Sequence, residues 1–213
     1  DKGRIIVLGD DFSDIGQGNI FSVRDGSNNW VQQLAGHYGV KLVAARNGGW
    51  AYAQGSARIN AADPENGAPS VKQQVDQLLS DAGGKLRKAD MVFINGGMHD
   101  IIDAVESGGV EDEQTREAIL NAADALVEQV KRVVKAGAGH VAVTGVYDLG
   151  TTPWAVDWGG RAEPKGSSEL TGLVVGLKSD FPGFNGRLLT ELNEQAVNAL
   201  YLDAALFFKF VYD

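Results

Sequence analysis

The chain has 213 residues, 44% of them hydrophobic and 22% charged, which suits one well-packed soluble domain and is too little for two comfortable ones. Its net charge of -9 argues against nucleic acid as a partner and against electrostatic docking on anionic lipid, since both need basic patches. The absence of cysteine excludes thiolate metal sites, a catalytic thiol and disulfides, and the longest apolar run, Ala204 to Tyr212, is interrupted by Lys209 and too short to span a membrane.

Taken in chain order, Ile5-Ile6-Val7-Leu8 reads as a buried strand that opens at Gly9 into the small polar run Asp10-Asp11-Phe12-Ser13-Asp14. In an open parallel α/β sheet such an exit lies where ligands bind, beyond the carboxyl ends of the strands. The spacing predicts a helix over Val31 to Tyr38 behind an Asn28-Asn29 cap, with Trp30 as its hydrophobic staple. Lys41 to Ala45 reads as a second strand, running into a small-residue loop from Asn47 to Ala57. Ser70 to Leu79 is a helix with Val71, Val75, Leu78 and Leu79 on one face.

Met91 to Ile94 is a third strand and exits into Asn95-Gly96-Gly97-Met98-His99-Asp100. A long amphipathic helix follows over Glu111 to Ala136, closed by Gly137 and Gly139, and His140 to Val146 is the fourth strand. Residues 149 to 180 lack periodicity and suit an excursion over the functional edge of the sheet. Phe184 to Ala196 is amphipathic, with Leu188, Leu189 and Leu192 facing inward. Leu200 to Asp203 fits a fifth strand, and Ala204 to Tyr212 a closing helix. This alternation implies a single α/β domain over residues 1–213. It would be a three-layer α/β/α sandwich with a flavodoxin-like parallel sheet of about five strands in the order 2-1-3-4-5.

Gly9-Asp10-x-x-Ser13-Asp14, with Phe12 inside it, resembles the first block of the GDSL (SGNH) esterase and lipase family, Gly-Asp-Ser-x-Ser-Asp. Ala53-Gln54-Gly55-Ser56-Ala57 is similar to the family's Ala-x-Gly-Gly/Ser-Ala loop, which implies that the Gly55 N–H serves the oxyanion hole. Gly97-Met98-His99-Asp100 resembles Gly-x-Asn-Asp and sets His99 at the oxyanion asparagine position. Val146-Tyr147-Asp148-Leu149-Gly150 is similar to the Pro-Asp-Leu-Gly that ends the fourth strand. The resemblance implies a carboxylic or lipid ester as substrate and no cofactor.

The chain departs from the pattern where the chemistry is carried. Asp11 occupies the position of the nucleophilic serine, and the late Asp-x-x-His block that supplies base and carboxylate is absent, so the expected domain lacks its C-terminal catalytic block. Ester hydrolysis on this scaffold needs a hydroxyl, a base and oxyanion donors. The leading expectation is therefore an esterase or lipase fold that is inactive or impaired in this form. One alternative is a non-catalytic protein binding an ester, lipid or glycan in the former pocket. The other is a repurposed hydrolase in which Asp11 attacks as a carboxylate.

His99 is the one histidine expected near Asp11, as base, imidazolium partner, oxyanion donor or plain strand-exit cap. His37 and His140 read as structural or exposed. Asp10, Asp11, Asp14, His99 and Asp100 could converge on a metal, but the jobs implied for Asp10, Asp14 and Asp100 are capping and hydrogen bonding, so no metal is assigned. Trp154, Trp158, Phe181 and Phe184 flank the excursion, where aromatics suit an acyl or aryl pocket and equally the packing of the excursion; Trp154 is the substrate-binding candidate. A chain beginning at Asp1 without Met reads as processed or trimmed, which leaves export to the periplasm or beyond open. Neither compartment nor oligomeric state is legible.

Overall fold

In the computed structural model the described residues are 3–18, 26–157, 164–178 and 180–212. Four parallel strands form one sheet in the order β1-β2-β3-β4: Ile5–Leu8 (β1), Met91–Ile94 (β2), His140–Thr144 (β3) and Leu200–Leu202 (β4). β1 is buried on both faces, as a strand of a parallel sheet covered on each side must be, and its continuous apolar run follows from that. Side chains alternate between two cores with the period of two that a pleated strand imposes. Ile6, Leu8, Val92, Ile94 and Val143 enter the larger core, while Ile5, Val7, Phe93 and Ala142 enter the smaller.

The larger core is closed by helices Val71–Asp81 (α2), Glu113–Lys135 (α4) and Phe184–Glu194 (α7), through Val75, Leu78, Leu126, Val130, Phe184 and Leu188. The smaller is closed by Trp30–His37 (α1), through Val31 and Ala35. The expected α/β/α layering thus holds. Both α1 and α2 begin with capping boxes, Asn29 with Gln32 and Ser70 with Gln73, which fixes their entry points. Trp30 is the first helical residue of α1 and not its staple. Its ring stacks on Phe12 at 5.5 Å and meets Phe93 edge-on at 5.8 Å.

The expected strand at Lys41 to Ala45 does not form, and the sheet has four strands instead of five. The edge beside β1 is taken by the returning segment: the Val7 N–H donates to the Trp50 carbonyl at 3.0 Å, and the Tyr52 N–H to the Val7 carbonyl at 2.7 Å. Residues 43–45 lie one place further out, where the Ala45 N–H donates to the Ala51 carbonyl at 2.8 Å and the Ala51 N–H to the Val43 carbonyl at 3.1 Å. Burial decides the competition, because Ala51, Tyr52 and Ala53 are enclosed while Val43 stays 37% exposed. Otherwise the expected strand order holds.

Two stretches are more helical than their sequence suggests. Met98–Gly108 (α3) starts directly on the β2 exit, and the excursion carries Pro153–Asp157 (α5) and Pro164–Val175 (α6). α3 follows a Gly-Gly that reads locally as a turn, and α6 contains two glycines in a helix that tertiary packing must hold. The last helix, Ala204–Tyr212 (α8), follows β4 directly. Leu189 is only partly enclosed, so α7 faces inward through Leu188 and Leu192. Among the described residues no helix is long and apolar enough to cross a membrane.

Gly97, which caps α3 with φ of 108°, is a point of no tolerance. A Cβ there would lie 2.3 Å from the ring of Phe184, which is fully buried and cannot retreat. Gly97→Ala should therefore cost about 2 kcal/mol or more, from left-handed strain and overpacking together, measured as a lower urea midpoint at unchanged slope. A loss below about 0.5 kcal/mol would show that the turn can relax.

Candidate active site

The register Leu8↔Ile94 and Ile94↔Val143 ends the strands at one level, so the exits at Gly9, Asn95 and Gly145 emerge side by side. The first exit is held from both sides by a buried amide. The Gly9 N–H donates to Gln74 Oε1 at 2.8 Å, and Gln74 Nε2 donates to the Gly9 carbonyl at 2.9 Å. Gly9 is forced here, because with φ of 149° a Cβ would fall 2.0 Å from Asn95 Oδ1. Asn95 then bridges the two exits, accepting from Ser13 Oγ at 2.6 Å and donating to Asp10 Oδ1 at 2.5 Å. Burial, with Asp11 close by, pushes the Asp10 carboxyl up to about 6 despite these donors.

Asp11 and His99 meet. His99, second residue of α3, brings Nε2 to 2.5 Å from Asp11 Oδ2, and the Ser56 N–H donates to the same oxygen at 2.8 Å. Burial works against the charged form of both groups. For Asp11 it is outweighed by the bonds from His99 and Ser56, which hold the carboxyl below its ordinary 3.8. For His99 it is outweighed by Asp11, with smaller help from Asp10 and Asp103, which lifts the imidazole above its ordinary 6.5. Both shifts favour the imidazolium–carboxylate form of this partly enclosed pair. The two departures from the family pattern are thus one contact: each supplies the charge that the other needs in a desolvated place.

The second loop is distributed differently from the expectation for Gly55. The Gly55 N–H donates to Asp14 Oδ2 at 2.8 Å inside the protein, and it is the next amide, that of Ser56, which faces residue 11. Ser56 itself holds a φ of 66°, a left-handed conformation at the tip of this loop. Asp14 also takes the Gly16 and Gln17 N–H groups, and Asp100 takes that of Ile59 at 3.1 Å. Asp10, Asp14 and Asp100 are each turned toward backbone donors. Among the described residues no three His, Cys, Asp or Glu side chains converge as a metal shell would.

Asp11 stands in the wall of an open cleft of about 1390 Å³, whose apolar lining includes Phe12, Trp30, Met98, Tyr147, Trp154 and Phe208. Trp154 is tethered by its Nε1, which donates to Glu106 Oε1 at 3.1 Å. The third exit is fixed as the first is, by Asn185, which accepts from the Val146 N–H at 2.8 Å and donates to its carbonyl at 2.7 Å. Sequence reasoning missed Gln74, Asn185 and the part of α8, whose Phe208 ring packs 5.2 Å from Tyr147 and 6.0 Å from Phe12. A buried amide inside an apolar helix face was the available signal for Gln74; none existed for Phe208. Phe184 is a core residue, Phe181 lies 3.1 Å from the Arg116 guanidinium, and Trp158 lies outside the described residues. His37 and His140 are exposed.

The family model described as GDSL-like Lipase/Acylhydrolase matches residues 5–208, and the chain belongs to that family. It is 29% identical over 180 residues to Lipase 1 of Photorhabdus luminescens, covering 81% of this chain and 27% of that protein. The chain therefore spans about a quarter of the length of that relative. Its fold is similar to that of Est24, a carbohydrate acetylesterase from Sinorhizobium meliloti, with a TM-score of 0.54 at 16% identity over 96% of this chain and 85% of the other. It is also similar to protein YXIM of Bacillus subtilis, with a TM-score of 0.53 at 14% identity over 100% of this chain and 46% of the other.

The pair has a pH signature. Stability contributed by the raised His99 is present below 6.5 and lost as pH rises through its higher folded value. The lowered Asp11 contributes stability present above 3.8 and lost as pH falls through its lower folded value. Asp10 and Asp100, both pushed up to about 6, add stability present below 3.8 and lost as pH rises through about 6. The melting temperature should accordingly be higher near about pH 5 than near about pH 8. Asp11→Asn should narrow that difference and lower the His99 pKa in an NMR titration. An unchanged His99 titration would rule out the pairing.

Proposed function

We propose that this chain is an ester-binding domain of the GDSL lipase/acylhydrolase family in which the acyl-enzyme route is closed. The reading is carried by one observation: the carboxylate at residue 11 engages both groups a hydroxyl there would use, the imidazole Nε2 and the Ser56 N–H. A fixed negative charge also stands where the carbonyl oxygen of a bound ester would become an oxyanion, which opposes the transition state. Direct attack by Asp11 is disfavoured for the same reason. Donors on Oδ2 stabilise the anion, and a carboxylate so stabilised is a weak nucleophile.

The binding half of the site is intact in its chemistry. The cleft is walled by rings and by Met98, with Thr151, Thr152 and Asp148 near the Trp154 side, a distribution that suits an apolar acyl or aryl group joined to a polar ester. Trp154 serves as a substrate-binding residue, and Gly55 acts by holding Asp14 while Ser56 supplies the amide that faces residue 11.

Treatment of the 213-residue chain with p-nitrophenyl butyrate should give no burst and no acyl adduct in the intact mass. Ethyl octanoate should quench the fluorescence of Trp30 and Trp154 in a saturable manner, and Trp154→Ala should weaken that binding by about tenfold, the equivalent of about 1.4 kcal/mol. An acyl adduct would overturn the closed route, and an absence of saturable quenching would overturn the binding role.

A further inference from the structure

We propose that Asp11 and His99 act as a water-activating dyad, in which Asp11 fixes the imidazole through Nε2 and Nδ1 takes the proton of a water attacking a bound ester directly. The inference rests on the ester-binding reading above. Its basis is the orientation of the ring. The short bond to Asp11 Oδ2 consumes Nε2, and Nδ1 makes no hydrogen bond to any described residue. The side chain is 21% exposed, so water can reach it. Its partner Asp11 and its α3 neighbours Met98 and Ile102 line the cleft, which puts His99 at the margin of the cleft behind Asp11. With the neutral ring, a carboxylate on Nε2–H leaves the lone pair on Nδ1, which is the tautomer a general base requires.

The reaction balances without a covalent intermediate on the protein. One O–H bond of water breaks, its proton passes to Nδ1, and the water oxygen bonds to the ester carbonyl carbon. The tetrahedral adduct collapses with cleavage of the carbon–alkoxide bond, and the proton on Nδ1 goes to the leaving alkoxide. Asp11 stays ionised throughout and balances the imidazolium charge. Such hydrolysis should be slow. The Ser56 N–H is held by Asp11 and the Gly55 N–H by Asp14, so neither is free to serve the developing oxyanion.

The active form is the neutral imidazole, so the rate rises with pH. The charged groups that set this are Asp11 and Asp10 from the β1 exit and Asp103 from α3 itself, the last paired with Arg58 at 2.5 Å and facing Asp63 and Glu106. The carboxylates hold the ring protonated to higher pH than a free histidine, and Arg58 offsets part of the effect of Asp103.

The test uses the intact chain and p-nitrophenyl acetate from about pH 5 to about pH 9. The expected kcat/KM rises with unit slope and levels at the His99 pKa measured by NMR on the same protein, with no acetyl adduct in the mass. His99→Gln, verified as folded by circular dichroism, should lower the plateau rate by about 100-fold or more. Asp11→Asn should move the break to lower pH by the same amount as it moves the His99 pKa measured by NMR, which ties the rate to that ring. Three results would overturn the dyad: an unchanged plateau in His99→Gln, an accumulating acetyl adduct, or no hydrolysis above buffer at any pH. The last of these, with saturable ethyl octanoate quenching retained, would sink the dyad alone and leave the binding reading standing, whereas loss of that quenching would sink the binding reading.

Discussion

The parallel pairing of β1 with β2 is the constraint on which the site depends. Residues 11 and 99 are far apart in sequence, and nothing local brings them together. The ladder from Ile5↔Met91 to Leu8↔Ile94 does so, and it is pinned at both ends. At the amino end, Asp90 receives the Arg4 guanidinium through Nε and NH2, together with the Arg4 and Arg87 N–H groups. At the carboxyl end, Asn95 ties Asp10 and Ser13 to the β2 exit. A register slip of one residue would invert the faces of the strand and would also carry Asp11 away from α3. Fold and site are therefore specified by the same hydrogen bonds.

Electrostatics then decides what that geometry can do. Three carboxylates, Asp10, Asp11 and Asp14, lie within five residues of a strand exit, and desolvation opposes the charge on each. They are kept apart in state by their partners. Asp10, almost fully enclosed, is pushed toward the protonated form, while Asp11, with an imidazole and an amide on one oxygen, is held ionised. Removing one member of the Asp11–His99 pair leaves the other as an uncompensated charge, which costs more than removing both. That asymmetry gives a physical reason for the two departures to occur together in one chain.

Much of this was legible in the sequence because it is local or periodic. The β1, β2 and β3 runs, the faces of α2 and α4, and the capping residues Asn29 and Ser70 follow from pattern and propensity. The Asp11–His99 contact was legible as well, since adjacent strand exits follow from an α/β topology. What escaped was settled by competition between distant segments. Lys41 to Ala45 has the composition of a strand and lost the edge to Trp50–Tyr52, whose side chains bury better. The start of α3 at Met98 is hidden by the glycines before it. The Gly55 N–H has a buried acceptor in Asp14 that no motif in the loop itself reveals.

The same competition fixes the division of labour around residue 11. Two successive amides, those of Gly55 and Ser56, point to different acceptors. One amide is spent inside the protein, on Asp14, stabilising the turn that carries residue 11. The other is spent at the cleft, on Asp11 itself. A serine hydroxyl at residue 11 would accept far less strongly from the Ser56 N–H than a carboxylate does, leaving that donor available to a substrate oxygen. The carboxylate therefore does two things through one atom: it withdraws an oxyanion donor, and it sets the tautomer and charge of His99. Loss of one mode of chemistry and orientation of the imidazole for another are consequences of the same pair of hydrogen bonds on Asp11 Oδ2.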